Sequence, residues 1–142
     1  MTVVVEEIRL NLPHVELAAH LYGPEDGRPV LALHGWLDNA ATFSRLAPRL
    51  QGLRIVALDF AGHGHSGHRG PGAGYQLWDY AVDVLLVAEE LGWQRFSLLG
   101  HSLGGIIATL LAASMPERVE RLALIDGLVP YVGEADQAPQ KL

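Results

Sequence analysis

A single serine stands between glycines at the point where one apolar run ends and another begins. The segment Gly100-His101-Ser102-Leu103-Gly104 follows the apolar residues 96–99 and precedes the apolar residues 106–113. This order predicts a strand, a sharp turn and a helix, with the serine hydroxyl at the turn. Small neighbours are needed there because bulky side chains would collide with the backbone. Unpaired N–H groups at the start of the helix can donate to a negatively charged oxygen. The segment therefore predicts a nucleophile at Ser102, with a purely structural glycine-rich connection as the alternative.

Charge and cysteine content exclude several classes of function. The chain has 142 residues, 49% of them hydrophobic and 18% charged, which predicts one packed globular domain. Its net charge is −6 and its ten Lys and Arg residues form no run, so nothing predicts binding to nucleic acid. There is no cysteine, which excludes disulfides, zinc–thiolate centres and a cysteine nucleophile. We expect neither a metal nor a cofactor.

The first residues resemble neither a signal peptide nor a membrane anchor. Residues 1–7, MTVVVEE, have no basic start and no continuous apolar core. No apolar stretch of the chain approaches the roughly 20 residues of a membrane span. The sequence therefore predicts a soluble protein of the cytoplasm, without a membrane span.

Strand and helix signals alternate after an initial pair of strands. The strands are predicted at residues 2–10, 15–22, 30–33, 54–58, 95–99 and 119–125, and the helices at residues 39–50, 75–91 and 102–114. The first two strands are separated only by residues 11–14, which favours an antiparallel pair. The later strands alternate with helices, which favours a mostly parallel, doubly wound α/β sheet of about six strands. Residues 59–74 contain six glycines and are predicted to form a loop.

Three motifs in this order resemble the α/β-hydrolase superfamily. They are LHGWLDN at residues 33–39, LDFAGHGHS at residues 58–66 and the turn around Ser102, each at the end of a predicted strand. Within the superfamily, the stretches WLDNAATF, DFAGHGHSGH, WQRFSLLGHSLGG and MPERVERLALID are most similar to the serine-hydrolase-like group. The resemblance covers nearly the whole chain but only the first half of the family's fold.

The resemblance implies a role for each matching residue. Ser102 matches the family's nucleophile, at its nucleophile elbow. The backbone N–H groups of Leu103 and Trp36 match the donors of the oxyanion hole. The implied substrate is a small molecule with an ester or similar carbonyl group, and no cofactor or metal is implied.

The histidines near these motifs are poor candidates for the catalytic base. His34 usually braces the oxyanion loop through hydrogen bonds in this family, and His101 points elsewhere on a tight turn. Metal binding by His63, His65 and His68 is conceivable, but no acidic cluster accompanies them. We therefore interpret these side chains as structural.

The catalytic set expected of this family is incomplete. Its triad runs in the order serine, acid, histidine, yet no histidine follows His101. Some relatives place the acid after the sixth strand, where Asp126 stands; a capping or turn role with Gly127 is the alternative we favour. We therefore expect the base to lie outside these 142 residues, and the chain alone to be nearly inactive.

The same reasoning predicts a truncated protein, a nicked fragment or one half of a split protein, in which the C-terminal strands are missing. Residues 1–126 would form the N-terminal half of the core domain, and residues 127–142 a tail or the start of a missing cap region. The apolar strand 121–125 would become a sheet edge, so we expect it to pair with the missing C-terminal half or to self-associate. The alternatives are another chemistry on this fold, such as C–C hydrolysis, lysis or cofactor-free peroxidation, and a non-catalytic interaction module.

Overall fold

A computed structural model describes residues 5–70 and 74–125, and these residues form six strands and two α-helices. The strands are β1 (Glu6–Asn11), β2 (Glu16–Tyr22), β3 (Arg28–Leu33), β4 (Leu53–Leu58), β5 (Phe96–His101) and β6 (Val119–Ile125). The α-helices are α1 (Leu77–Leu91) and α2 (Leu103–Ser114). The positions predicted for the six strands and for these two helices are confirmed, except that residues 2–4 of the first predicted strand lie outside the described residues.

The strands form one sheet in the order β1-β2-β4-β3-β5-β6. β1 pairs with β2 and β2 with β4 in antiparallel fashion, whereas β4, β3, β5 and β6 are mutually parallel. The predicted antiparallel first pair and the mostly parallel α/β sheet are therefore both confirmed. Parallel order brings the carboxyl ends of β3, β4 and β5 to one edge, so the three motifs of the sequence meet there.

Each face of the sheet carries its own apolar layer. In β3, Leu31 and Leu33 belong to the cluster under α1 and α2, while Val30 and Ala32 belong to the cluster on the other face. The alternation follows from the two-residue period of a strand. Burial on both faces explains why β3 reads as an unbroken apolar run in the sequence.

The predicted helix at residues 39–50 is wrong as an α-helix. Two short 3₁₀ helices, Ala40–Phe43 and Ala47–Arg49, take its place. The Asn39 side chain does cap the first, because its Oδ1 accepts a hydrogen bond from the Ala41 N–H at 2.9 Å. Pro48 explains the break, since its ring has no N–H and would collide with the carbonyl one turn earlier.

β6 is the last strand at its edge of the sheet among the described residues. It pairs only with β5 there, and Leu122 and Ile125 are 38% and 39% exposed. The predictions for Asp126 and for the tail at residues 127–142 lie outside the described residues.

Candidate functional site

Ser102 holds a backbone conformation that side-chain-bearing residues rarely adopt. Its φ is 55° and its ψ is −115°, and it joins the end of β5 to the start of α2. Such a conformation costs on the order of 1–3 kcal/mol and persists only where the surroundings enforce it. The Ser102 carbonyl accepts hydrogen bonds from the Gly105 and Ile106 N–H groups, and its own N–H donates to the Ile125 carbonyl at 3.3 Å. The turn leaves the serine exposed at the carboxyl edge of the sheet.

This turn requires glycine at two positions, because backbone atoms of neighbouring segments lie where a Cβ atom would be. A Cβ on Gly100 would lie 2.6 Å from the Gly104 carbonyl oxygen and from the Gly105 Cα. A Cβ on Gly104 would overlap the carbonyl group of Leu33 at the end of β3. Both obstacles are backbone atoms, so no side-chain rotation could relieve the overlap. The glycines therefore let the start of α2 pack directly on β3 and β5.

The loop after β3 lies against Ser102. A Cβ on Gly35 would be 3.3 Å from the Ser102 Cβ. The loop turns sharply, because the Asp38 N–H donates to the Gly35 carbonyl at 3.2 Å and Leu37 has a φ of 60°. Among residues 5–70 and 74–125, the backbone N–H groups of Trp36 and Leu103 have no hydrogen-bond partner. Two free donors thus flank the serine.

His34 is fully buried and uses both of its ring nitrogens. Nε2 accepts a hydrogen bond from the Phe60 N–H at 3.0 Å, so Nδ1 carries the proton and donates to the Gly35 carbonyl at 2.6 Å. Burial lowers the pKa of His34, which keeps the ring neutral. The interpretation of His34 as a brace of this loop, rather than a base, agrees with these contacts.

Asp59 fixes the same loop from the other side, and the sequence reasoning did not single it out. Its Oδ1 accepts from the Ala40 N–H at 2.7 Å and its Oδ2 from the His65 N–H at 3.0 Å. The Asp59 carbonyl accepts from the Ser66 hydroxyl at 2.5 Å. Gly64 has a φ of 50° and packs so closely on this carboxylate that any side chain would overlap it. One buried carboxylate thus ties the loop after β3 to the glycine-rich loop after β4.

Comparison with known proteins agrees with this architecture. The family model described as the alpha/beta hydrolase fold matches residues 28–141. The chain belongs to this family. The α/β-hydrolase resemblance of the three motifs is therefore confirmed, as is the fold class.

The chain is similar to individual members of the α/β-hydrolase family, of which one protein sequence and two solved structures are described below. The serine hydrolase-like protein of Danio rerio is 48% identical over 127 residues, which cover 87% of this chain and 39% of that protein. A hypothetical protein from Pseudomonas aeruginosa PAO1 is 76% identical, with a TM-score of 0.88 over 96% of this chain and 48% of its own. A membrane phospholipase A, a bacterial virulence factor, is 31% identical, with a TM-score of 0.85 over 97% of this chain and 46% of its own. The chain thus spans two fifths to one half of these relatives.

Two further histidines of the site region make local contacts, whereas the buried His101 Nδ1 and His63 Nε2 have no hydrogen-bond partner among the described residues. His63 Nδ1 donates to the Ala61 carbonyl at 3.1 Å, and His65 Nδ1 lies 3.0 Å from the Glu7 Oε1. In the part of the chain that the structure describes, no group of three or more His, Asp or Glu side chains could hold a metal ion. Within that same part, no hydrogen bond joins the Ser102 hydroxyl to a histidine.

The described helices also bear on contact with membranes. None of those within residues 5–70 and 74–125 is long and apolar enough to cross a lipid bilayer.

Proposed function

We propose that the protein to which this chain belongs is a serine hydrolase of esters or similar carbonyl compounds, with Ser102 as its nucleophile. The observation that carries the proposal is the strained, exposed serine of the β5–α2 turn, flanked by the two unpartnered N–H groups of Trp36 and Leu103. Strain at a single polar residue with free donors beside it is a recurrent property of catalytic turns. The name of the Danio rerio relative supports the reaction class, and the name of the phospholipase structure supports an ester substrate.

In the proposed reaction, the Ser102 hydroxyl oxygen attacks the substrate carbonyl carbon and its proton passes to a base. The carbonyl electron pair moves onto the oxygen, which accepts hydrogen bonds from the Trp36 and Leu103 N–H groups. Collapse of this intermediate expels the alcohol, which takes the proton back from the base and leaves an acyl group on Ser102. Water then repeats the sequence and releases the acid. Removing one oxyanion donor typically lowers kcat by about 10²–10³-fold.

We propose that a histidine beyond residue 142 is the base, since no hydrogen bond joins the Ser102 hydroxyl to any histidine of the described residues. His34 is excluded by its two hydrogen bonds, because an acceptor nitrogen already occupied by the Phe60 N–H cannot take the serine proton. Asp126 remains a proposal for the acid. On this view, residues 1–126 are the first half of the core domain and residues 127–142 lead into the remainder. The lack of cysteine supports the cytoplasm as the compartment.

A non-catalytic role as an interaction module is the second candidate. It is favoured by the exposed residues of β6, which is the last strand at its edge of the sheet among the described residues. The serine turn argues for catalysis instead, because its strained backbone and its two crowded glycines cost stability that an interaction module does not need to lose.

Hydrolysis of short-chain aryl esters distinguishes the two candidates. It is measured on the whole protein to which this chain is proposed to belong, called the longer protein below. Ser102→Ala should abolish the turnover, because no other group at the turn can form the acyl intermediate. Ser114→Ala is the matched control, since Ser114 is an exposed serine at the far end of α2. Full turnover in Ser102→Ala would contradict the proposal, and the absence of turnover in the unmodified protein would favour the interaction module.

A further inference from the structure

Asp83 is a carboxylate buried in the middle of α1, where only 1% of it is exposed. Its Oδ2 accepts a hydrogen bond from the Arg69 Nη2 at 2.5 Å, and its Oδ1 lies 2.7 Å from the His14 Nε2. Burial raises the pKa of Asp83, while His14 and Arg69 act in the opposite direction. A charge in such a place needs its partners, so Asp83 joins α1 to the β1–β2 connection and to the glycine-rich loop.

Arg69 fastens the far end of the glycine-rich loop to α1. Its guanidinium carbon lies 5.4 Å from the ring centre of Tyr75 and 5.7 Å from that of Tyr80. Its backbone N–H donates to the Tyr75 hydroxyl at 2.6 Å. The side chains of Arg69 and Asp83 are only 7% and 1% exposed, so their ion pair is shielded from water.

A continuous set of ring contacts leads from Arg69 to the loop beside Ser102. The Tyr80 ring centre lies 6.3 Å from that of His63, and the His63 ring centre lies 5.2 Å from that of Trp36. Tyr80 and His63 are both buried. Buried side chains packed at the density of a protein interior transmit displacement, so a shift at Arg69 reaches His63 and the side of Trp36 that His63 contacts, although Trp36 is itself 57% exposed.

The glycine-rich loop depends on these contacts for its shape. Residues 59–70 contain no helix or strand; Asp59 holds the loop at His65 and Ser66, and the Gly67 N–H donates to the Glu16 carbonyl at 2.7 Å. The ion pair with Asp83 holds Arg69, beyond Gly67, and keeps its guanidinium over the Tyr80 ring. Loss of this ion pair would free the guanidinium from the Tyr80 ring, which lies against His63 and through it against Trp36.

We propose that Arg69 and Asp83 are positioning residues that hold the Trp36 amide in place for the oxyanion. The proposal rests on the function proposed above, because it assigns to the Trp36 N–H the role of an oxyanion donor. Neither side chain touches the substrate; both act through Tyr80 and His63. A displacement of the donor by about 1 Å lowers turnover by about 10- to 100-fold.

The test compares the longer protein with its Arg69→Met/Asp83→Leu variant. Replacing both charges with apolar side chains avoids leaving one charge buried alone, and such replacements are often neutral for stability. Glu89→Gln is the matched control, because Glu89 lies on the same helix and forms an ion pair with Arg118 at 2.7 Å. Each protein is labelled with 5-fluorotryptophan, and the ¹⁹F signals of Trp36 and Trp93 are assigned by Phe substitution.

We expect the double variant to lose about 10- to 100-fold in kcat with KM changed by less than about twofold. The Trp36 signal should shift or broaden, the Trp93 signal should stay, and Glu89→Gln should change neither. An unchanged Trp36 signal would overturn the proposal, whether or not kcat falls. A shifted Trp36 signal with no change in Ser102-dependent turnover would overturn it as well. If the unmodified protein shows no Ser102-dependent turnover, the proposed function fails, and the ¹⁹F result still decides whether the pair positions Trp36.

Discussion

Adding one methyl group at Gly104 should disturb the serine turn more than the size of the change suggests. In Gly104→Ala, the new Cβ would overlap the backbone carbonyl of Leu33, which cannot rotate away. Overlap of this kind destabilises the fold by about 3 kcal/mol or more. The better helix propensity of alanine stabilises it by about 1 kcal/mol. We therefore expect the free energy of unfolding to fall by at least about 2 kcal/mol.

The reactivity of Ser102 should fall together with the stability of the protein. To relieve the overlap, the start of α2 must move away from β3, which separates Ser102 from the loop after β3. The rate of reaction of Ser102 with a fluorophosphonate should therefore fall in Gly104→Ala.

Urea unfolding of the longer protein and the fluorophosphonate rate measure these two effects. Gly70→Ala is the matched control, because a Cβ there meets nothing within 4 Å, and its effect should stay within about 0.5 kcal/mol. A Gly104→Ala protein as stable and as reactive as the unmodified one would refute the argument that backbone crowding defines this turn.

The proposed base, the edge strand β6 and the buried His34 can each be tested in a simple experiment. The 142-residue chain alone should hydrolyse activated esters about 10⁶-fold more slowly than the longer protein, because the base is proposed to lie outside it; turnover that disappears in His63→Ala would contradict this. The chain alone should associate through the open edge of β6, so light scattering across a concentration series should show a rising mass; a stable monomer at tens of micromolar would contradict it. His34 has a lowered pKa in the folded state, so only the unfolded chain takes up its proton near pH 6.5. The stability that the neutral His34 contributes should therefore be lost as the pH falls below about 6.5. Urea unfolding of the longer protein between pH 5 and pH 8 should show a smaller fall in the free energy of unfolding for His34→Asn than for the unmodified protein. An equal fall would refute this reasoning.

The sequence predicts the parts of this fold that depend on short-range patterns. The apolar run of β3 and the helical spacing of apolar residues in α1 are visible within a few neighbouring residues, and both elements are buried as those patterns predict. Gly92, with a φ of 73°, ends α1 at the position where the sequence predicts the end of the helix. The failed helix at residues 39–50 is also a local matter, because Pro48 outweighs the helical spacing of Phe43, Ala47 and Leu50.

The contacts that hold the candidate site could not be read in the same way. Asp59 meets Ala40, 19 residues away, and Asp83 meets His14, 69 residues away, only because the sheet brings their segments together. Asp83 even contradicts the apolar pattern of its helix face, since nothing in the neighbouring sequence signals a buried carboxylate. An aspartate directly after a buried strand, followed by alternating glycines, is the signal that could have identified Asp59.

A crystal structure of the longer protein after reaction with a fluorophosphonate tests the central claim most directly. The account predicts a covalent phosphonyl group on the Ser102 Oγ, with one phosphonyl oxygen about 2.7–3.1 Å from both the Trp36 and the Leu103 backbone nitrogens. An adduct on another serine, or a phosphonyl oxygen that points away from both amides, would contradict it.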